Sequence, residues 1–240
     1  MILHTNHFGN GRPLIFLHTG LQTGMTDFIE QRNYFQDYFE VIMPDLRDHG
    51  KSKGNKELPT IHAYFRQSIE DLKETVDHLN IEQCHFAGCS SGAIIAFLFA
   101  NHYPHYVRTL TLSGIVPDKP EDWDKLHEEQ VMSQRILLEQ DEMNHYFSNL
   151  HKDCPWRKLI EFTFDSNWYP FDEMKKVQSL TMPVLFIVGE QLQHEVEGVL
   201  TYKKLLPHAN IAILPFAGHL VHDEQPDLYT HVLHQFLKSV

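Results

Sequence analysis

A chain of 240 residues, 42% hydrophobic and 22% charged, has the composition of one globular domain with a full core. Its formal net charge of −12 excludes the basic footprint that nucleic acid or an anionic membrane surface would require of a partner. No apolar stretch approaches the length of a membrane span, and Met1 to Asn6 show no basic region followed by an apolar run, so a cytoplasmic protein is expected.

In chain order, the first clear element is Leu14-Ile15-Phe16-Leu17, a short all-apolar run between Pro13 and His18 that predicts a buried strand. Val41-Ile42-Met43, stopped by Pro44, predicts a second. From Ile61 to Leu79 the apolar residues Phe65, Ile69, Leu72, Val76 and Leu79 fall on one helical face. Cys84 to Ala87 ends a buried strand, and Ala93 to Ala100 predicts a buried helix. Thr109 to Leu112, Val184 to Val188 and Ile211 to Leu214 predict further strands, and Glu224 to Lys238 a closing helix. Apolar strands separated by helices imply a mostly parallel sheet covered by helices on both faces.

One segment breaks this alternation. Residues 117–171 contain no apolar strand, only polar-aromatic helical sequence that includes all three tryptophans, Trp123, Trp156 and Trp168. The segment falls on the carboxyl side of a strand, where ligands bind in open α/β sheets. It is therefore expected to be a lid over an apolar pocket rather than a helical pair packed for its own stability. Residues 1–116 and 172–240 are expected to form the two parts of the core.

Gly88-Cys89-Ser90-Ser91-Gly92 sits between the strand ending at Ala87 and the helix beginning at Ala93. In that context G-x-S-x-G makes a sharp strand-to-helix turn that lifts the middle serine above the sheet. Ser90 is thus the expected nucleophile, with Cys89 a small buried neighbour. Cys84, Cys89 and Cys154, an odd number, are expected as free thiols. The eighteen histidines are scattered without a third ligand at persuasive spacing, so no metal is expected.

Four landmarks together resemble the α/β-hydrolase fold superfamily, in its serine-hydrolase branch with a helical cap. His18-Thr19-Gly20 is similar to the family's H-G-x loop, and Pro44-Asp45-Leu46-Arg47-Asp48-His49-Gly50-Lys51-Ser52 to its D-x-R-x-H-G-x-S loop. Gly88 to Gly92 is the elbow, and Phe216-Ala217-Gly218-His219 resembles the loop carrying the catalytic histidine. The resemblance implies that His219 is the base for Ser90. It also implies an oxyanion hole from the Ser91 amide and that of Gly20, or of Leu21 if the register shifts by one. A serine in the elbow disfavours the aspartate-based haloalkane dehalogenase and epoxide hydrolase chemistries of the same superfamily.

The triad acid departs from the family pattern. Relatives carry aspartate where Gly189-Glu190-Gln191-Leu192 has leucine. Glu195, one helical turn beyond Leu192, ranks first as its replacement; Glu190, Asp118 after the preceding strand, or an incomplete triad are the alternatives. The expected activity is a cofactor-free serine hydrolase acting on a small carboxylic ester or related acyl substrate. The alternatives are a carbon–carbon bond hydrolase or lyase of the same fold, with Arg135 and Arg157 as candidate carboxylate binders, and a non-catalytic ligand-binding relative.

Overall fold

The computed structural model describes residues 1–240. Seven strands form one sheet: β1 (Thr5–Phe8), β2 (Pro13–Leu17), β3 (Glu40–Pro44), β4 (Cys84–Cys89), β5 (Val107–Ser113), β6 (Val184–Gly189) and β7 (Asn210–Leu214). Their spatial order is β1-β3-β2-β4-β5-β6-β7, with β1 antiparallel to β3 and every other pair parallel. β1 is absent from the sequence-based expectation because Thr5-Asn6-His7-Phe8 is a half-solvated edge strand with no apolar run.

The helices are α1 (Ile29–Phe35), α2 (Ile61–His78), α3 (Ser91–His102), α4 (Trp123–Glu139), α5 (Asp141–His151), α6 (Trp156–Phe162), α7 (Phe171–Met174), α8 (Gln193–Leu205), α9 (Val221–Glu224) and α10 (Pro226–Lys238). Glu224 therefore ends a short helix instead of opening the last one. Pro226 disfavours a helical Gln225, and the chain breaks there into two helices.

Side chains alternate across the strands and feed two cores. Ile15, Leu17, Phe86, Leu110, Leu112, Phe186 and Val188 join residues of α2, α3 and α8 on one face. Leu14, Phe16, Ala87, Cys89, Leu185 and Ile187 join Phe35 and residues of α10 on the other. Strands buried on both faces carry nearly continuous apolar sequence, which is why they were legible.

Strand order places the site. The chain runs from β2 outward to β3, then crosses back to β4 on the opposite side of β2. The carboxyl ends of β2 and β4 are thus neighbours at a topological switch point, with Leu17 paired to Gly88. The His18 loop and the Ser90 turn emerge side by side.

Candidate active site

Ser90 stands between β4 and α3 with φ 54° and ψ −123°, a strained conformation for a residue bearing a Cβ. Close packing fixes the turn. A Cβ at Gly92 would lie 2.1 Å from the Leu17 carbonyl oxygen, so strand and helix approach only because that position is glycine. The Ser90 N–H donates to the Ser113 carbonyl at 2.9 Å, and Ser91 opens α3 with an amide that has no acceptor within its own helix.

The Ser90 hydroxyl donates to His219 Nε2 at 2.9 Å, and His219 Nδ1–H donates to Glu195 Oε1 at 2.5 Å. Glu195 is buried in the first turn of α8, and the Leu192 carbonyl accepts its N–H at 3.0 Å. Of the other two acids considered, Glu190 Oε1 accepts the Phe216 N–H at 2.9 Å, while exposed Asp118 pairs with Lys175 at 3.5 Å. Neither contacts His219.

The histidine loop is held by further groups that the sequence did not single out. Glu224 accepts the Gly218 and Leu220 amides at 2.8 and 3.0 Å, one on each oxygen. The Cys89 thiol, buried and pushed well above its ordinary pKa by desolvation, donates to the His219 carbonyl at 3.5 Å. Burial alone would lower the pKa of His219; the hydrogen bond to Glu195, its charge and that of Glu224 outweigh this and raise it above 6.5.

Across from Ser90, Thr19 to Gln22 form a turn closed by the Gln22 N–H on the Thr19 carbonyl at 3.3 Å, with Leu21 at φ 64°. No protein group accepts the Gly20 or Leu21 N–H, so both amides remain available beside Ser90. The turn is anchored by Asp27, which accepts the Thr19 N–H at 2.7 Å and the His222 Nε2–H at 2.7 Å. Burial alone would raise the pKa of Asp27, but the hydrogen bond and charge of His222, the Thr19 amide and His18 bring it below its ordinary range.

A cavity of about 540 Å³ opens onto Ser90 and His219. Its outer wall comes from the insertion: Trp123, Leu126 and Leu137 of α4, Leu159 and Ile160 of α6, and Trp168 and Tyr169. No lysine or arginine lines it. Arg135 and Arg157 are exposed and lie over the Phe164 and Trp156 rings, outside the cavity. All three cysteines are free, and no group of three or more His, Cys, Asp or Glu side chains is disposed to hold a metal ion.

The two cavity tryptophans are differently placed. Trp123 belongs to the main buried core, whereas Trp168 is half-buried against it. Trp123→Ala is expected to cost about 3–5 kcal/mol of stability, as truncation of a buried tryptophan does. Trp168→Ala is expected instead to shift acyl-length preference toward longer substrates with a smaller fall in melting temperature. Equal loss on every substrate in a chromogenic panel would make Trp168 a packing residue.

Residues 12–161 match the family described as the alpha/beta hydrolase fold. A Bacillus subtilis protein provisionally named 2-succinyl-6-hydroxy-2,4-cyclohexadiene-1-carboxylate synthase is 27% identical over 201 residues, 72% of this chain and 73% of its own. The 3-oxoadipate enol-lactonase 2 of Acinetobacter baylyi is 24% identical over 95% of this chain and 89% of its own. The structure of a thermophilic esterase from Thermogutta terrifontis aligns with 99% of this chain and 93% of its own at a TM-score of 0.74 and 24% identity, a likeness of fold. No helix is long and apolar enough to cross a membrane.

Proposed function

The chain belongs to the alpha/beta hydrolase fold family, and from that premise we propose that it is a serine hydrolase cleaving a small, uncharged carboxylic ester or related acyl substrate through an acyl-enzyme. The observation that carries the proposal is the continuous relay from Ser90 through His219 to Glu195 at the floor of the cavity.

His219 Nε2 takes the hydroxyl proton as Ser90 Oγ attacks the carbonyl carbon, and Glu195 stabilises the imidazolium that forms. Negative charge on the substrate oxygen is met by the Ser91 amide and by a free amide of the Gly20–Leu21 turn. Collapse of this intermediate expels the alcohol, protonated by His219. A water activated by the same base then attacks the acyl-enzyme carbonyl, releasing the acid and restoring Ser90.

The cavity's chemistry sets the substrate class. An apolar wall without a lysine or arginine would strip water from a substrate carboxylate and return no countercharge. This weighs against a carboxylate-bearing carbon–carbon hydrolase or lyase substrate, for which Arg135 and Arg157 were the candidate binders. A relay with every member within hydrogen-bond distance weighs against a non-catalytic relative.

A fluorophosphonate probe is expected to label the wild-type protein, and a panel of chromogenic esters to show turnover of neutral acyl groups well above that of dicarboxylate half-esters. Absence of labelling in a folded sample sinks the proposal. Preference for the half-esters would move it to the carboxylate-bearing class.

A further inference from the structure

Seven of the histidines are buried, and one of them ties the helical insertion to both core loops that border the serine. His151 ends α5 and is completely enclosed. Its Nδ1 accepts the Gly50 N–H at 3.0 Å, and its Nε2–H donates to the Leu21 carbonyl at 3.1 Å. An imidazole accepts at one nitrogen and donates at the other only when neutral, so these backbone partners select both its charge and its tautomer.

Leu21 needs that support. A non-glycine residue at φ 64° is strained and persists only where its surroundings fix it. No other protein group donates to its carbonyl. Its side chain packs against Phe147, Trp156 and Ile160, all of the insertion. The insertion therefore grips Leu21 by side chain and backbone alike. Gly20 and Leu21, whose N–H groups have no protein acceptor, line the same cavity as Ser90.

We infer that His151 is a positioning residue that holds the Thr19–Gln22 turn in the conformation where its free amides meet the developing oxyanion. The inference rests on the serine-hydrolase reading above. Burial keeps the imidazole below its ordinary pKa, with the charge of His18 acting in the same direction and the Leu21 hydrogen bond and Asp45 opposing it. The His49 ring meets it edge-on at 5.3 Å, and the Phe147 ring stacks at 6.2 Å.

Three variants separate the two bonds from the packing. His151→Phe keeps a ring against Phe147 and loses both bonds; His151→Gln retains a donor long enough to reach Leu21; His151→Asn retains an acceptor for Gly50 but is too short for Leu21. Misplacing oxyanion donors costs on the order of 10²-fold, so kcat is expected to fall about that much in the Phe and Asn variants, with KM little changed. The affinity of benzeneboronic acid, whose tetrahedral adduct with Ser90 uses the same donors, is expected to fall in parallel. The Gln variant is expected to recover most of both.

Unchanged kcat in folded His151→Phe overturns the inference, as does a loss confined to KM or a Gln variant no better than Asn. If the Phe variant does not fold, the Gln and Asn pair decides. Wild-type labelling by fluorophosphonate, absent in Ser90→Ala, is run alongside. Failure of labelling removes the underlying reading, whereas labelling with His151-independent turnover removes this inference alone.

Discussion

Ser90→Ala is expected to lower ester turnover by about 10⁶-fold, the scale seen when a triad nucleophile is removed from a serine hydrolase. Thermal unfolding should barely change. The hydroxyl's one protein partner is His219, and alanine at φ 54° carries the same backbone strain as serine. The neighbouring candidates lack what Ser90 has. The Cys89 thiol is buried, pushed far from its thiolate form and aimed at the His219 carbonyl; the Ser91 hydroxyl is buried without a hydrogen-bond partner. Retained activity in Ser90→Ala, with loss in Cys89→Ala or Ser91→Ala, would reassign the nucleophile.

Glu195→Gln is expected to cost about 10⁴-fold in turnover, equivalent to about 5 kcal/mol of transition-state stabilisation. Glutamine preserves the shape, but its amide can neither balance the imidazolium nor enforce the Nδ1–H tautomer that leaves Nε2 free to accept from Ser90. Glu190→Gln and Asp118→Asn should cost far less, since those carboxylates engage the Phe216 amide and Lys175. A pH profile supplies the second readout. The base works only when neutral, so kcat/KM falls as pH drops through the His219 pKa. Glu195 and Glu224 place that pKa above 6.5. Removing the Glu195 charge should move the acid limb to lower pH. A limb that stays in place, or turnover insensitive to Glu195→Gln, would assign the acid elsewhere.

Much of this protein was legible because its information is local. Six of the seven strands are apolar runs flanked by turn residues, and the elbow is a five-residue signature whose glycines are required by backbone approach at Gly92. What the sequence itself determined was therefore the parallel strands, the serine turn and the break in rhythm after β5, where helices and no strand precede β6. For the acid it ranked Glu195 ahead of Glu190, Asp118 and an incomplete triad, on helical spacing from Leu192 alone. The choice depends on how α8 docks beside the β7–α9 loop, which brings Glu195 to a histidine 24 residues away. The same limit hid the supports of the site. His222 reaches Asp27 across 195 residues, and His151 reaches Leu21 across 130, with no periodicity or motif joining either pair. Only the tertiary structure decided those partners. Buried polar groups must find hydrogen bonds wherever packing delivers them, and packing brings together side chains that the sequence holds far apart.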